Sequence, residues 1–523
     1  MNNMHRNFGF KEISEQEIIK IMKHLSTKKA SGYDEIPIKF IKKASRQLSK
    51  PITMIVNQCI LQHTFPDNMK KANITPLYKK KDKLNKDNYR SVNLLIALSK
   101  ITEKVMSHQI YDFIKPMLHK YMSGFRKGYG CQDILIRMTE DWRKALDNGQ
   151  IIGTVAIDLS KAFDCMPLGL LIAKLKAYGF TENACKLLKS YLVNRKQRVK
   201  IGNHFSDWVS NIKGVPQGSI LGPLLFNIFI NDFLFLKLNT KTYNYADDNT
   251  LSYTGSCIND IKAKLEEDCL KSMEWFEDNN MRANADKFQL MFISRTNSYN
   301  DLYLQVKDDL IHSTKSINIL GLEIDYKLNF STHIDTICTQ AGKQTNALKR
   351  IKCHLDKECK MIIYNSYISS NFNYCPIVWM YTGKLNFDKL EKSNKRAIRF
   401  ISNDTESSYE QLCTEEKLLN IHKRCIKSVA IQMFKIKNQT APDYLAEMFN
   451  VRETHYDIRN NNQFTLPSFN TITYGKKSFT YYGAKLWNNL PNEIKESSSL
   501  SILKKALTSW LENIESVSLV DFH

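Results

Sequence analysis

The stretch SILGPLLFNIFINDFLFLKL, Ser219 to Leu238, is the longest apolar run in the chain, and any fold the chain adopts has to bury it. Its length suits a membrane span, but Pro223, Asn227, Asn231 and Asp232 interrupt it. The expectation is a helix inside the core of a soluble protein, with Leu221, Leu224, Leu225 and Ile228 in register on one face. Just ahead of it, Gly214, Gly218 and Gly222 punctuate the sequence, so that backbones can approach closely at the helix entrance. The first residues, MNNMHRNFGFKEISEQE, lack the apolar run of a signal peptide.

The flanking patterns describe what such a helix packs into. Residues 11–25 place Ile18, Ile19, Met22 and Leu25 on one helical face behind a capping box of Ser14 and Glu17. ANITPLYKKKDKLNKDNYRSVNLL reads as a strand, a basic loop and a second strand. IIGTVAIDLSKAF is a β-branched strand ending at Asp158, followed by a helix that stops at Gly179. RVKIGNHFSDWV is a hairpin around Gly202 and Asn203. TYNYADDNTLSY is a second hairpin with Asp247 and Asp248 at its tip, and a helix to Asn280, the strand DKFQLMFIS and the hairpin INILGLEIDYKLNF follow it. This order suits an α+β fold, a ferredoxin-like split βαβ sheet with helices on one face. Beyond Ser331 the pattern is helical and basic.

Charge narrows the partners. The chain carries 75 Lys and Arg against 53 Asp and Glu, a net charge of +22, and such a field draws polyanions, nucleic acid first among them. The 12 cysteines include no C-x-x-C pair, which excludes a zinc finger and suits a reducing compartment. Cys353, His354 and Cys359 come nearest to a metal cluster, but no second ligand pair accompanies them.

Three carboxylates stand out: Asp158 at a strand end, and Asp247 with Asp248. Taken alone, the Asp247–Asp248 pair is ordinary turn chemistry. If the strands are neighbours the three acids converge, and acids held that close stay ionised only beside cations. Two Mg²⁺ ions on oxygen ligands answer that requirement and activate a hydroxyl for attack on a phosphate.

AIDLSKAFD, GVPQGSILGPLLFNIFINDF and YADD, in that order, resemble motifs A, B and C of reverse transcriptases, specifically those of non-LTR retrotransposons of LINE-like, jockey or CR1 type. KKASGYDEIP, PLYKKKD, NYRSVNLL, SGFRKGYGCQD and LGLEIDYKLNF extend the likeness on either side, and YCPIVWMY, KSNKRAIRFI and LWNNLPNEI carry it toward the C-terminus. The resemblance implies a right-hand polymerase of fingers, palm and helical thumb with a small C-terminal region. Residues 1–115 would form an N-terminal extension and fingers interleaved with the palm, and 116–330 the palm with motifs A to E. The reverse transcriptase domain itself would span about 70–330, with 331–450 a thumb or connection and 451–523 a region of unassigned role.

Residue by residue, the resemblance implies Asp158, Asp247 and Asp248 as metal-binding catalytic acids, with the main-chain carbonyl of Leu159 in the metal shell. Phe163 matches the aromatic that excludes a 2′-hydroxyl. Gln217 and Gly218 match nucleotide contacts, and Lys79, Lys80 and Arg90 match triphosphate-holding cations. Lys287 matches a lysine that protonates pyrophosphate. Leu320 and Gly321 match a primer-supporting hairpin, and Lys392, Arg396 and Arg399, with Lys389 and Lys395 beside them, a nucleic-acid-facing thumb helix.

The implied activity is RNA-directed DNA synthesis with two Mg²⁺ ions, Mn²⁺ as a substitute, and an RNA template, a DNA primer or target and dNTPs as partners. No membrane partner is expected, and the compartment is nuclear or cytoplasmic. The sequence holds no endonuclease ahead of the fingers, so target nicking is expected to need a separate one.

Overall fold

From Leu221 to Leu234 only Pro223 and Asp232 escape burial. The helix Leu221–Ile230 runs into a 3-10 turn, Asn231–Phe235. Its polar interruptions bond to other segments: the Asn227 amide donates to the Gly124 carbonyl at 2.8 Å, its Oδ1 staying buried without a partner, and Asn231 donates to the Met117 carbonyl at 3.0 Å and the Tyr178 hydroxyl at 2.7 Å. Asp232 pairs with Lys174 at 2.8 Å. Residues that would be costly in lipid are thus the ones that tie this helix to its neighbours in a protein core. Among the described residues no helix is long and apolar enough to cross a membrane.

This computed structural model describes residues 7–79, 82–159, 162–211, 213–296, 299, 301–451 and 463–513. The chain divides into two compact units, one of Met1–Phe125, Asp158–Lys237 and Lys271–Asn284, the other of Arg126–Ile157, Leu238–Leu270 and Ala285–His523.

In the first unit the capping box of Ser14 and Glu17 opens the helix Glu15–His24. It buries Ile18, Ile21 and Met22; Leu25, expected on that face, lies past the last turn and is half-buried. The expected strand pair is Lys71–Tyr78 antiparallel to Tyr89–Leu94. Lys71–Tyr78 also pairs in parallel with Arg195–Ile201, which turns through Gly202 and Asn203 into His204–Phe205 and takes Val209–Asn211 on its other edge.

The second unit holds a four-stranded sheet in the order Lys241–Tyr245, Asp248–Gly255, Ile151–Ile157, Gln289–Ile293, every pair antiparallel. Numbered along the chain this is 2-3-1-4, the ferredoxin-like order the sequence predicts. The expectation of helices on one face is corrected. Gly153 faces the helix Ile258–Asp278, since a Cβ there would meet Leu265 at 2.5 Å and Ile261 at 2.6 Å. The next residue, Thr154, points the opposite way, and there the helix Cys131–Asp147 covers the sheet. Trp142 of that helix donates to the Ser252 hydroxyl at 3.1 Å, and Ser252 donates to Thr154 at 3.0 Å.

Two hairpins follow, Tyr303–Val306 with Asp309–His312, and Ser316–Ile319 with Leu322–Asp325. After Ser331 the regular elements of the described residues are helices, apart from an isolated bridge between Val451 and Phe464.

The helix Cys131–Asp147 carries Asp133, Glu140 and Asp147, two heptads of buried acid. Glu140 accepts the backbone N–H groups of Phe479 at 2.8 Å and Thr480 at 2.9 Å and the Thr480 hydroxyl at 2.9 Å. Asp147 accepts from the Asn470 N–H at 2.9 Å and from Thr471 N–H and hydroxyl at 2.7 and 2.6 Å. Asp133 accepts from Gln432 at 2.9 Å. Arg143 donates to the Lys477 carbonyl at 3.1 Å. Segments near the C-terminus are therefore fastened by charge-assisted hydrogen bonds to the helix that backs the sheet.

One buried base makes the second unit acid-sensitive. His333, in the first turn of the helix Ser331–Arg350, is 6% exposed, and its Nε2 has no hydrogen-bond partner. Burial pushes its imidazole down from 6.5 to about 4. Because the folded value lies below the unfolded one, the unfolded chain binds the extra proton between them. The stability His333 contributes is complete above pH 6.5 and is lost as the pH falls toward 4. Between pH 7 and 4.5 the wild type should lose about 2–3 kcal/mol more than His333→Gln, measured as the difference between their denaturation midpoints.

Candidate active site

Asp247 and Asp248 sit where two strands turn back on each other. Tyr245 pairs with Asp248, which leaves Ala246 and Asp247 as a two-residue turn. Ala246 adopts φ 58°, a left-handed conformation that costs a residue with a Cβ of order 1 kcal/mol. Two buried asparagines hold it there: Asn244 donates to the Ala246 carbonyl and to the Asn249 side chain, both at 2.8 Å, and Asn249 donates to the Asp247 carbonyl at 3.3 Å. Their part was missed in the sequence, although an asparagine on each side of YADD is its visible trace.

Asp247 is half-buried and Asp248 exposed. Asp248 lines a small cleft with Ile134, Met138, Tyr245, Ile319 and Leu320. Burial first, and then Cys131 and Asp133, pushes the Tyr245 phenol up to about 12. Leu320 and Gly321 form the turn of the second hairpin at φ 50° and 81°. The Tyr374 hydroxyl holds that turn by donating to the Leu320 carbonyl at 2.5 Å. The structure thus brings Asp248 and Leu320 to one cleft.

Asp158 is the residue after Ile157, and Ile157 is the register partner of Asn249, the residue after Asp248. It is half-buried, while Leu159 is buried and bridges to Ala283. Among the described residues no three His, Cys, Asp or Glu side chains are gathered as a ready-made metal site. The donor set that the sequence resemblance implies, three carboxylates and a backbone carbonyl, would be all hard oxygen, which suits Mg²⁺ or Mn²⁺ rather than a thiolate-seeking metal.

The first unit assembles a second group of residues. Phe163, in the short helix Ala162–Cys165, stacks on Phe226 with centroids 4.4 Å apart and meets Phe125 edge-on at 5.8 Å. One face of the half-buried ring is thereby braced. The glycines explain the loop opposite. A Cβ on Gly214, at φ 73°, would lie 2.4 Å from the Phe163 carbonyl, and one on Gly218, at φ 109°, would lie 2.7 Å from the Asn93 carbonyl. The close approach allowed by these residues is to the protein's own backbone.

Gln217 donates through its side chain to Asp164 at 2.8 Å, and its carbonyl accepts from the Asn93 N–H at 2.7 Å. Asn93 belongs to the strand that carries Arg90. Buried Glu103, also unread in the sequence, accepts the N–H groups of Ile220 at 2.6 Å and Leu221 at 3.5 Å, anchoring the start of the apolar helix. Gly218→Ala should therefore force the Gln217 loop away from Asn93 and cost about 1–3 kcal/mol, read as a lowered melting temperature.

Other candidates stand apart. Arg90 and Lys79 are exposed, Lys79 donating its N–H to the Asn88 carbonyl at 2.9 Å; Lys80 lies outside the described residues. Lys287 is exposed in the turn Ala285–Lys287 ahead of its strand. On the helix Lys384–Ser402, Lys392 and Arg396 are exposed, Lys389 pairs with Asp335 at 2.8 Å, Lys395 is half-buried, and Arg399 donates to the Ser407 carbonyl at 3.0 Å.

Residues 78–324 match the family described as reverse transcriptase (RNA-dependent DNA polymerase). The chain is 26% identical over 433 residues to the probable RNA-directed DNA polymerase from transposon BS of Drosophila melanogaster, covering 80% of this chain and 48% of that protein. It is 27% identical over 403 residues to the RNA-directed DNA polymerase from mobile element jockey of Drosophila melanogaster, covering 74% and 43%. The chain thus spans about half the length of these curated relatives. A solved telomerase structure from Candida albicans overlaps 68% of each chain at 13% identity and a TM-score of 0.36, too low to carry an argument.

Proposed function

Because the chain carries a reverse transcriptase domain, we propose that it is an RNA-directed DNA polymerase of non-LTR retrotransposon type, extending a primer 3′-hydroxyl with dNTPs along an RNA template. The observation that supports this best is the strand register. A two-residue turn presents Asp247 and Asp248, and the strand beside it ends one residue short of Asp158.

In this reading Asp158, Asp247, Asp248 and the Leu159 carbonyl hold two Mg²⁺ ions. When bound, such ions lower the pKa of the attacking hydroxyl and stabilise charge on the leaving phosphate oxygen. The remaining roles belong to the chain's own side chains. Arg90, Lys79 and Lys80 hold the triphosphate and offset charge on the departing pyrophosphate, and Lys287 delivers a proton to it. Gln217 and Gly218 align the sugar and base of the incoming nucleotide. The turn at Leu320 and Gly321 supports the primer terminus beside Asp248, where positioning converts a bimolecular step into an effectively unimolecular one. Lys392, Arg396 and Arg399 contact the nucleic-acid backbone.

Phe163 sets sugar choice. Backed by Phe226, its ring cannot retreat from a 2′-hydroxyl. Phe163→Ala is expected to reduce discrimination against ribonucleotides by roughly 10- to 200-fold, measured as the ratio of kcat/KM for dNTP and NTP. Unchanged discrimination would remove Phe163 from this role. The reading as a whole is tested by primer extension on RNA. A wild-type protein that binds RNA yet incorporates no dNTP on any primed template defeats it, and leaves a nucleic-acid-binding protein.

A further inference from the structure

The hairpin that begins at Arg195 has an exposure pattern that packing does not explain. Every residue from Ile201 to Ser210 is exposed, including Phe205 at 43% and Trp208 at 36%. Large aromatics left in water on an edge of a sheet are a solubility liability. Here they are interleaved with cations. The Arg198 guanidinium lies 4.0 Å from the centroid of Phe205 and 4.6 Å from that of Trp208, and the Lys200 ammonium is 5.2 Å from Phe205. Trp208 meets Tyr33 edge-on at 6.0 Å, and the Lys71 ammonium stands 5.8 Å from the Tyr33 ring. Along one face the order is therefore Lys71, Tyr33, Trp208, Arg198, Phe205, Lys200. All six belong to the first unit.

The row is held in place. Arg198 donates to the Asn73 side chain at 2.9 Å, and the Tyr33 hydroxyl donates to the Asn68 carbonyl at 2.7 Å. Lys196 pairs in register with Lys71 and extends the cationic stripe. Acids stand near it, Glu35 pairing with Lys200 at 3.8 Å, Asp67 pairing with Lys70 at 2.9 Å within electrostatic reach of Lys71 and Lys196, and Asp34 beside Tyr33, but Lys70, Lys71, Lys196, Arg198 and Lys200 outnumber these three.

We propose that this face is a binding platform for single-stranded RNA, on which unpaired bases stack against Phe205 and Trp208 while Lys71, Lys196, Arg198 and Lys200 track the phosphates. Aromatic rings between cations are what an unpaired strand requires, since every base offers a π face and every linkage a negative charge. A duplex hides its bases and gains nothing from the rings, and a protein partner complementary to this row would have to be strongly acidic. The choice of RNA over single-stranded DNA rests on the polymerase reading; the platform itself does not.

The test is fluorescence anisotropy with a labelled 12-nucleotide RNA of mixed sequence, its DNA counterpart and a DNA duplex, on full-length wild type and on Phe205→Ala/Trp208→Ala. Expected are tighter binding of the wild type to RNA than to duplex, and a loss in the variant of roughly tenfold or more, the effect of removing stacking partners. Lys196→Glu/Lys200→Glu, which leaves the rings intact, should weaken binding comparably and flatten its dependence on salt. Both variants should keep the wild-type melting temperature.

RNA affinity unchanged in both variants overturns the proposal, as does a wild type that prefers duplex. A shift of either variant to a smaller species in light scattering with RNA affinity intact overturns it in favour of contact between copies of this chain. Equal loss for single-stranded DNA and RNA overturns the choice of RNA. Asp247→Ala separates the two readings: it should keep the platform's RNA affinity whether or not the wild type extends primers.

Discussion

On the proposed polymerase reading Asp247→Ala is expected to abolish primer extension while leaving RNA binding intact, with a fall in rate of about 10⁴-fold, the scale on which removal of a central catalytic group acts. The reasoning runs through charge. Asp247 lies in the two-residue turn and Asp248 opens the strand after it, and on the proposed reading their joint negative charge would attract divalent cations. With one acid gone the site holds metal weakly, and raised Mn²⁺ should recover part of the loss where raised monovalent salt does not. RNA affinity should not fall, because the substitution removes a negative charge from a chain of net charge +22. Asp247→Asn, which keeps the volume and the turn, should be nearly as inactive. Extension by either variant within tenfold of wild type would remove Asp247 from the metal site.

The second large effect is on stability. Glu140 is fully buried, and desolvation raises its pKa while the Phe479 and Thr480 N–H groups oppose that rise. Those two N–H groups lie in the first turn of the helix Phe479–Asn489, so the carboxylate caps a helix far away in sequence. Glu140→Ala leaves two buried N–H donors and a hydroxyl without their acceptor and opens a void. A cost of about 3–5 kcal/mol is expected, seen as a melting temperature lower by roughly 10 °C. Glu140→Gln, whose carbonyl oxygen still accepts, should lose less than half of that. A chain ending at Val451 should fare worse than either, because Asp147 and Arg143 also lose the partners at 470–477. Glu140→Ala melting with the wild type would mean that the fastening is dispensable.

How far the sequence could be read depended on range. The capping box at Ser14, the turn at Gly202 and the hairpin carrying Asp247 and Asp248 are short-range features with distinct residue signatures, and they form where expected. The buried acids of Cys131–Asp147 follow another logic. An acid at every seventh position of a helix normally signals a solvated stripe, and only the partners, 299 or more residues away, make it a buried one.

Of the candidate site, Asp248 and Leu320 share a cleft and Phe163 and Gln217 share a loop cluster. What keeps them in place, Asn244, Asn249 and Glu103, carries no motif, because a buried asparagine or glutamate is recognisable only by the N–H groups and carbonyls around it.

The strand order of the second unit has a consequence for synthesis on the ribosome. Ile151–Ile157, at the centre of its sheet, emerges first, and its neighbours begin only at Asp248 and Gln289. At ordinary elongation rates that strand waits roughly 5 to 25 s for them. Glu140 and Asp147 wait longer still, until the segment around 470–480 has been made. The nascent protein must therefore pass most of its translation with a β-branched strand and a row of future core carboxylates in water, and a surplus of lysine and arginine that keeps such chains apart already serves the protein during its synthesis.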